Sequence, residues 1–115
     1  MKNFEQIRAK NALAKAQNIG KGGGGGDNVA KKVPVMILDN GILAAAAFAL
    51  ENKGNGYADV FDAVIDHLAD PEIALLDGKM SLKDFIDHLA SVSSDELRRI
   101  TAEAMAYLNY LRRFA

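Results

Sequence analysis

Cysteine is absent from this chain of 115 residues, which excludes disulfide bonds and thiolate metal sites and allows a reducing cytoplasm. Long apolar runs are also absent. The longest uncharged apolar run is the ten residues 41–50, too short to span a bilayer and better suited to a buried helix. No apolar segment follows Met1 and Lys2, so we expect no signal peptide, no membrane partner and a cytoplasmic protein.

Charge is unevenly distributed, although the net charge of the chain is only −1. Residues 1–38 contain seven basic and two acidic residues, residues 39–97 three basic and twelve acidic, and residues 98–115 four basic and one acidic. The three stretches therefore carry net charges of +5, −9 and +3. Basic ends around an acidic middle predict one surface that faces an anion and a second that is acidic. Two ordinary solvated faces are the alternative interpretation.

The last twenty-two residues, 94–115, have the clearest helical pattern. Their apolar residues recur at the three- and four-residue spacing of one helical face. Ser93, followed three residues later by Glu96, predicts a capping box at the helix start. Two arginine pairs, 98–99 and 112–113, lie about 21 Å apart along this helix, with about 40° of rotation between them. An apolar face and a cationic edge without a catalytic group indicate binding of something acidic.

Three other helices have clear boundaries in the sequence. Residues 3–19 predict a first helix that ends at Gly20. Residues 57–70 predict another helix, ended by Asp70 and Pro71. Ser81 is the expected N-cap of a further helix that runs to Ser91.

A helix starting at Pro34 and running to about Lys53, with Gly54 as its stop, is harder to assign. Within it, Asn40 followed by Gly41 is typical of a hairpin. We favour helix because the alanine-rich residues that follow are strong helix formers. Gly41 is then expected to be a point where a neighbouring helix approaches closely.

These segments predict an all-α fold, a single compact bundle of about five or six helices. We expect residues 1–115 to form one domain, because this length supports a single core. Five consecutive glycines, Gly22–Gly26, can neither bury surface nor restrict the backbone. Residues 20–28 are therefore expected to form a flexible loop.

Motifs for catalysis or cofactor binding lack their required context. Gly20, Gly22 and Gly25 have a dinucleotide-binding spacing but follow a predicted helix instead of a strand. The sequence Ile-Asp-His-Leu-Ala occurs at 65–69 and 86–90, and the two Asp-His pairs could supply a metal with mixed ligands. Adjacent residues on a helix point about 100° apart, so we expect both pairs on polar faces. We predict no enzyme activity, no cofactor and no metal; a small metal-dependent enzyme is the alternative.

Three segments together resemble a known family. Residues 32–43 are similar to a Pro…Asn-Gly-Leu segment that precedes an alanine-rich helix, residues 1–17 to an opening helix rich in Ala, Lys and Arg, and residues 106–115 to a Tyr-Leu-x-x-Leu-[Lys/Arg]-Arg-Phe-Ala ending. Their order and spacing resemble the small all-helical subunit of the Cmr-type (type III-B) CRISPR ribonucleoprotein. The five-glycine loop departs from that family.

The resemblance implies a helical protein without catalytic activity of its own. Its partners would be other subunits of the CRISPR effector complex, copies of itself, and guide and target RNA. Basic side chains that follow the RNA backbone would neutralise phosphates. Tyr107 and Tyr110 could stack on bases, although core packing is the alternative for both. A purely protein-binding scaffold without RNA contact is the rival function. We expect RNA contacts from Lys31, Lys32, Arg98, Arg99, Arg112 and Arg113, followed by Arg8 and Lys15.

Overall fold

The computed structural model describes residues 3–19 and 27–115. These residues form six α-helices and no strand, which confirms the predicted all-α fold. The helices are α1 (Phe4–Ala16), α2 (Asp27–Asn40), α3 (Ile42–Glu51), α4 (Tyr57–Leu68), α5 (Leu82–Ser91) and α6 (Ser94–Phe114), with a 3-10 helix at Lys53–Asn55. Of the predicted flexible loop 20–28, residues 20–26 lie outside the described residues, whereas Asp27 and Asn28 already belong to α2.

The 21-residue helix α6 organises the packing. Helices α1, α2 and α4 pack against it, and α5 packs on α3 and α4. Buried apolar side chains from all six helices join in one core cluster. Burying each large side chain contributes about 1.5–3 kcal/mol relative to leaving it exposed. The largest fully buried side chains include Phe61, Phe85, Tyr107, Leu108 and Leu111.

Side-chain caps start three of the helices. Ser81 Oγ accepts from the Asp84 N–H, as predicted for α5. Ser93 Oγ accepts from the Glu96 N–H at the start of α6, but the Glu96 carboxylate binds Arg99, so only half of the predicted capping box forms. The complete box is at α1, where Asn3 and Gln6 each bond the other's backbone N–H. These caps supply partners for backbone donors that the helix leaves unpaired.

The predicted helix from Pro34 to Lys53 is wrong, because the chain forms two helices there. Pro34 lies inside α2, which begins seven residues before it, and α2 ends at Asn40. Gly41 separates α2 from α3 with φ of +89°, a conformation that side chains rarely adopt. Its N–H still donates to Ile37 O and its carbonyl accepts from Ala45 N–H. The expected close approach at Gly41 is also wrong, since a Cβ there would meet no atom of the described residues within 4 Å, its two chain neighbours aside.

Gly41→Ala tests this correction. Because nothing crowds the position, any loss of stability reports backbone conformation, and a side chain at φ +89°, ψ 158°, a region essentially restricted to glycine, costs about 1–3 kcal/mol. We expect urea unfolding followed by circular dichroism to show that decrease in the free energy of unfolding. Gly78→Ala is the control: it has equal room and an ordinary φ, and should change stability by about 0.5 kcal/mol or less. Equal effects of the two variants would contradict the assignment.

Candidate nucleic-acid interface

The outward face of α6 carries all four arginines of that helix. At 100° per residue they fall within a sector of about 140°, opposite the buried side chains of the helix. Arg98, Arg99 and Arg113 are exposed and Arg112 is half-buried. No acidic residue follows Glu103 in the chain. We call this surface, defined by the four arginines, the cationic face.

The first arginine pair is partly neutralised by nearby carboxylates. Arg98 Nη1 lies 3.6 Å from Asp95 Oδ1, and Arg99 Nη2 lies 2.5 Å from Glu96 Oε1. Both guanidinium groups are more than two-thirds exposed. Ion pairs at such positions contribute little, about 0–1 kcal/mol, so an incoming anion can compete for these arginines.

The second arginine pair keeps its full charge. Arg112 donates from Nε and Nη2 to Asn109 Oδ1, at 3.3 and 3.0 Å, which is a neutral partner. Among the described residues, no carboxylate forms an ion pair with Arg112 or Arg113. This end of the cationic face is therefore its most electropositive part.

A groove of about 530 Å³ connects the cationic face to α2. Lys31 and Arg112 lie on its rim, so the structure brings a predicted lysine of α2 beside an arginine of α6. Lys32 is exposed on the same helix. The remaining lining is mostly apolar and includes Val35 and Leu38, which are 55% and 77% exposed. Cationic and apolar surface thus adjoin at this groove.

Arg8 and Lys15, the second-rank candidates, are bound within the protein. Arg8 makes two bonds to Glu103, from Nε at 2.8 Å and from Nη2 at 2.7 Å. Lys15 Nζ lies 2.6 Å from Asp66 Oδ2. The bond to Glu103 raises the pKa of Arg8 above its ordinary value, despite the opposing effect of burial. These two cations are therefore compensated internally and are not part of the cationic face.

The two tyrosines have different surroundings. Tyr107 is fully buried, and its ring stacks on His67 with centroids 4.3 Å apart, which confirms the core interpretation for this residue. Its hydroxyl has no hydrogen-bond partner among residues 3–19 and 27–115, and burial raises its pKa. Tyr110 is half-buried and donates through its hydroxyl to Glu5 Oε1 of α1, at 2.7 Å. Its ring lies beside Phe114, with centroids 6.4 Å apart.

A partly buried polar cluster, centred on the buried His67 and Glu103, was missed by the sequence analysis. It consists of Arg8 and Asn11 of α1, His67 and Asp70 at the end of α4, and Glu103 of α6, and we call it the polar cluster. The expectation that His67 lies on a polar face is wrong, since its side chain is 0% exposed. The spacing could have indicated it: His67 is three residues after Val64, and Glu103 three after Ile100, both on apolar faces.

Glu103 joins the members of the polar cluster. Its Oε2 accepts from Arg8 Nε and lies 2.9 Å from His67 Nε2, and its Oε1 accepts from Arg8 Nη2. Burial alone would raise the pKa of Glu103, but the bonds from Arg8 and His67 outweigh it and hold that pKa below its ordinary value. Glu103 is therefore an anion whose acceptor sites are directed at two other helices.

Metal ligands are not gathered in the described part of the chain. Within residues 3–19 and 27–115, no three His, Asp or Glu side chains form a group that could hold a metal ion. In the first Asp-His pair, Asp66 forms an ion pair with Lys15 and His67 contacts Glu103. As for membranes, no helix of those same residues is long and apolar enough to cross one.

The all-α fold and the cationic face define a small helical protein suited to contact with an anionic partner. A family model described as CRISPR-associated protein (Cas_Cmr5) matches residues 4–115, and the chain belongs to that family. It is thus a Cmr-type CRISPR-associated small subunit, as the resemblance implied. Searches of curated proteins and of solved structures found no match.

Glu103→Gln tests how far α1 depends on the polar cluster. The variant keeps the side-chain volume but removes the charge and sets an amide against the Arg8 donors. We expect the free energy of unfolding at pH 7.5 to fall by about 3 kcal/mol, the lower end for a broken buried pair, because Arg8 is 24% exposed. Glu96→Gln on the same helix also loses an arginine partner, Arg99, and should cost below about 1 kcal/mol. Comparable losses would show that the cluster contributes no more than a surface pair.

Proposed function

We propose that this protein is a non-catalytic subunit of a type III-B CRISPR effector complex that contacts guide or target RNA through its cationic face. The observation that carries the proposal is the placement of four arginines in one sector of α6, with no acidic residue after Glu103. Lys31, which lines the groove with Arg112, would extend this surface onto α2, and the exposed Lys32 of the same helix would add a further cation. Family membership supplies the effector complex as the context.

The mechanism is electrostatic and independent of sequence. Each arginine or lysine that neutralises a phosphate releases condensed counterions, so affinity falls as salt rises. Six cations on one subunit give a slope of log K against log salt of about −4 for single-stranded RNA. Arg8 and Lys15 contribute less, because Glu103 and Asp66 already neutralise them.

Neighbouring subunits complete the RNA path in this proposal. Several copies of the chain, together with other subunits of the complex, would place successive cationic faces along one RNA strand. Linked sites of this kind bind far more tightly than any one of them, because later contacts form at high effective concentration. The proposal treats residues 1–115 as one helical domain, which the shared core of all six helices supports.

The non-catalytic role rests on how the titratable groups are used. The buried carboxylate and imidazole of the polar cluster bond to each other and to α1, which supports a structural role for these two groups. The arginines and the Asn109 amide of the cationic face are not usual general bases, and the Asp95 carboxylate there lies in an ion pair with Arg98. Cleavage of RNA is accordingly assigned to other subunits.

Removing both arginines at the electropositive end tests RNA contact. In Arg112→Ala/Arg113→Ala we expect the slope of log K against log salt to decrease in magnitude by about 1.4, because two phosphate contacts are lost. Fluorescence anisotropy with single-stranded RNA, on the isolated chain and on the assembled complex, measures this slope. Circular dichroism should show unchanged helicity, since neither arginine is buried in the core.

Lys79→Ala/Lys83→Ala is the matched control, because it removes two positive charges at and just before α5, a helix that packs on α3 and α4. Its salt slope should equal that of the wild type. Equal slopes for wild type and both variants in the assembled complex would refute the cationic face as an RNA surface.

A protein-binding scaffold without RNA contact is the second candidate. The apolar groove beside α2 favours it, because Val35 and Leu38 are exposed there. Exposed apolar side chains grouped in a groove are typical of protein contacts. On this interpretation the basic and acidic surfaces meet head to tail. The chain would then self-associate in a salt- and concentration-dependent manner and would show no RNA affinity in the assembled complex.

A further inference from the structure

The polar cluster imposes one protonation state on His67. The Asp70 carboxylate only accepts hydrogen bonds, so Asn11 directs its amide nitrogen to Asp70 Oδ2, at 2.9 Å. The same nitrogen lies 2.9 Å from His67 Nδ1. An amide nitrogen only donates, so Nδ1 is an acceptor and the ring proton is on Nε2. That proton is donated to Glu103 Oε2, at 2.9 Å.

A second proton on His67 would disrupt this order. An imidazolium donates from both ring nitrogens, so an Nδ1–H would face the donor amide of Asn11. Rotating the amide would offer its oxygen to His67, but would place that oxygen against the Asp70 carboxylate. Either arrangement loses one of the two bonds by which Asn11 holds α1 to the end of α4. The neutral imidazole is the state in which every bond is satisfied.

The surroundings of His67 also disfavour its charged form. The ring is 0% exposed and stacks on Tyr107. Burial lowers the pKa of His67 below its ordinary value of 6.5, although the bond to Glu103 acts in the opposite direction. The charged and titratable groups around the ring come from every element packed on it: Arg8 and Lys15 from α1, Asp66 and Asp70 from α4 and its end, Lys79 from the segment before α5, and Glu103 and Tyr107 from α6.

We propose that the chain of bonds from Asp70 through Asn11, His67 and Glu103 to Arg8 is a proton-sensitive latch, which holds α1 against α4 and α6 while His67 is neutral and loosens when His67 is protonated. Helix α1 depends on it because its other polar links, from Lys15 to Asp66 and from Glu5 to Tyr110, lie nearer the surface. Arg8 shares a groove with Arg99, so loosening α1 alters the edge of the cationic face. That consequence rests on the proposed function, whereas the latch itself does not.

The pH range follows from the sign of the shift. Because the folded protein binds a proton at His67 less readily than the unfolded chain, the neutral state stabilises the fold above pH 6.5. This stability is lost as pH falls from 6.5 towards the folded pKa. One proton changes the opening equilibrium by at most about tenfold per pH unit. Glu103 and Asp70, whose pKa values are held below 4.5 and 3.8, stay ionised through this range.

Hydrogen–deuterium exchange of the full chain at pH 7.5 and pH 5.5, corrected for intrinsic exchange rates, tests the latch. We expect protection of α1 amides to fall by up to about tenfold, while amides of α5, which lies outside the polar cluster, keep their protection. In His67→Gln the protection of α1 should not depend on pH across this range. Equal loss in α1 and α5, or an unchanged pH dependence in His67→Gln, would overturn the proposal.

The protonation state can also be measured without altering the polar cluster. The chain has only two histidines, so His88→Asn identifies the His67 resonances in long-range proton–nitrogen NMR spectra. At pH 7.5 we expect a neutral ring with its proton on Nε2. A ring protonated on Nδ1, or an imidazolium at that pH, would rule out the latch even if His67→Gln fails to fold.

Discussion

Three helices meet at the carboxylate of Glu103, and the position of α1 depends on that meeting. Both bonds of the Arg8 guanidinium and the ring N–H of His67 converge on its two oxygens. A buried ion pair costs several kcal/mol to desolvate and is tolerated when further hydrogen bonds satisfy its members, as they do here. A shift of α1 by one residue would turn Arg8 by about 100° and break both bonds.

The ion pair between Arg8 and Glu103 also affects which cations of the protein remain available to a partner. Two cations of α1, Arg8 and Lys15, pair with Glu103 and Asp66, whereas Lys10 of the same helix is exposed. The arginines of α6 point away from the core, and the last two have no acidic partner within the described residues. Glu103 therefore has two effects: it fixes α1, and it neutralises the charge of Arg8. A basic sequence does not by itself produce a basic surface, because internal pairing decides which cations remain available.

The sequence predicts helices α4, α5 and α6 because their signals are local. Ser81 and Ser93 bond to backbone groups three residues away, and the apolar spacing that follows needs no tertiary information. The break at Gly41 was misassigned because the alanine-rich residues after it favour helix, whereas the break itself depends on where α2 and α3 pack. The cationic face follows from the periodicity of α6 alone. The polar cluster does not, because its members are up to 95 residues apart and only the packed fold brings them together.

The acidic middle of the chain affects how the protein would orient towards an RNA strand. Residues 39–97, which include α3, α4 and α5, carry a net charge of −9, and Asp59, Asp62, Asp84 and Asp87 are exposed there. On the proposed function, an RNA strand is repelled from these helices and attracted to α6, so the field orients the subunit before any contact forms. On the same proposal, the acidic residues of these helices would suit contact with a basic surface of a neighbouring subunit. The acidic helices would then both repel RNA and attract a basic protein partner. A partner that covers them would leave α6 as the surface open to RNA.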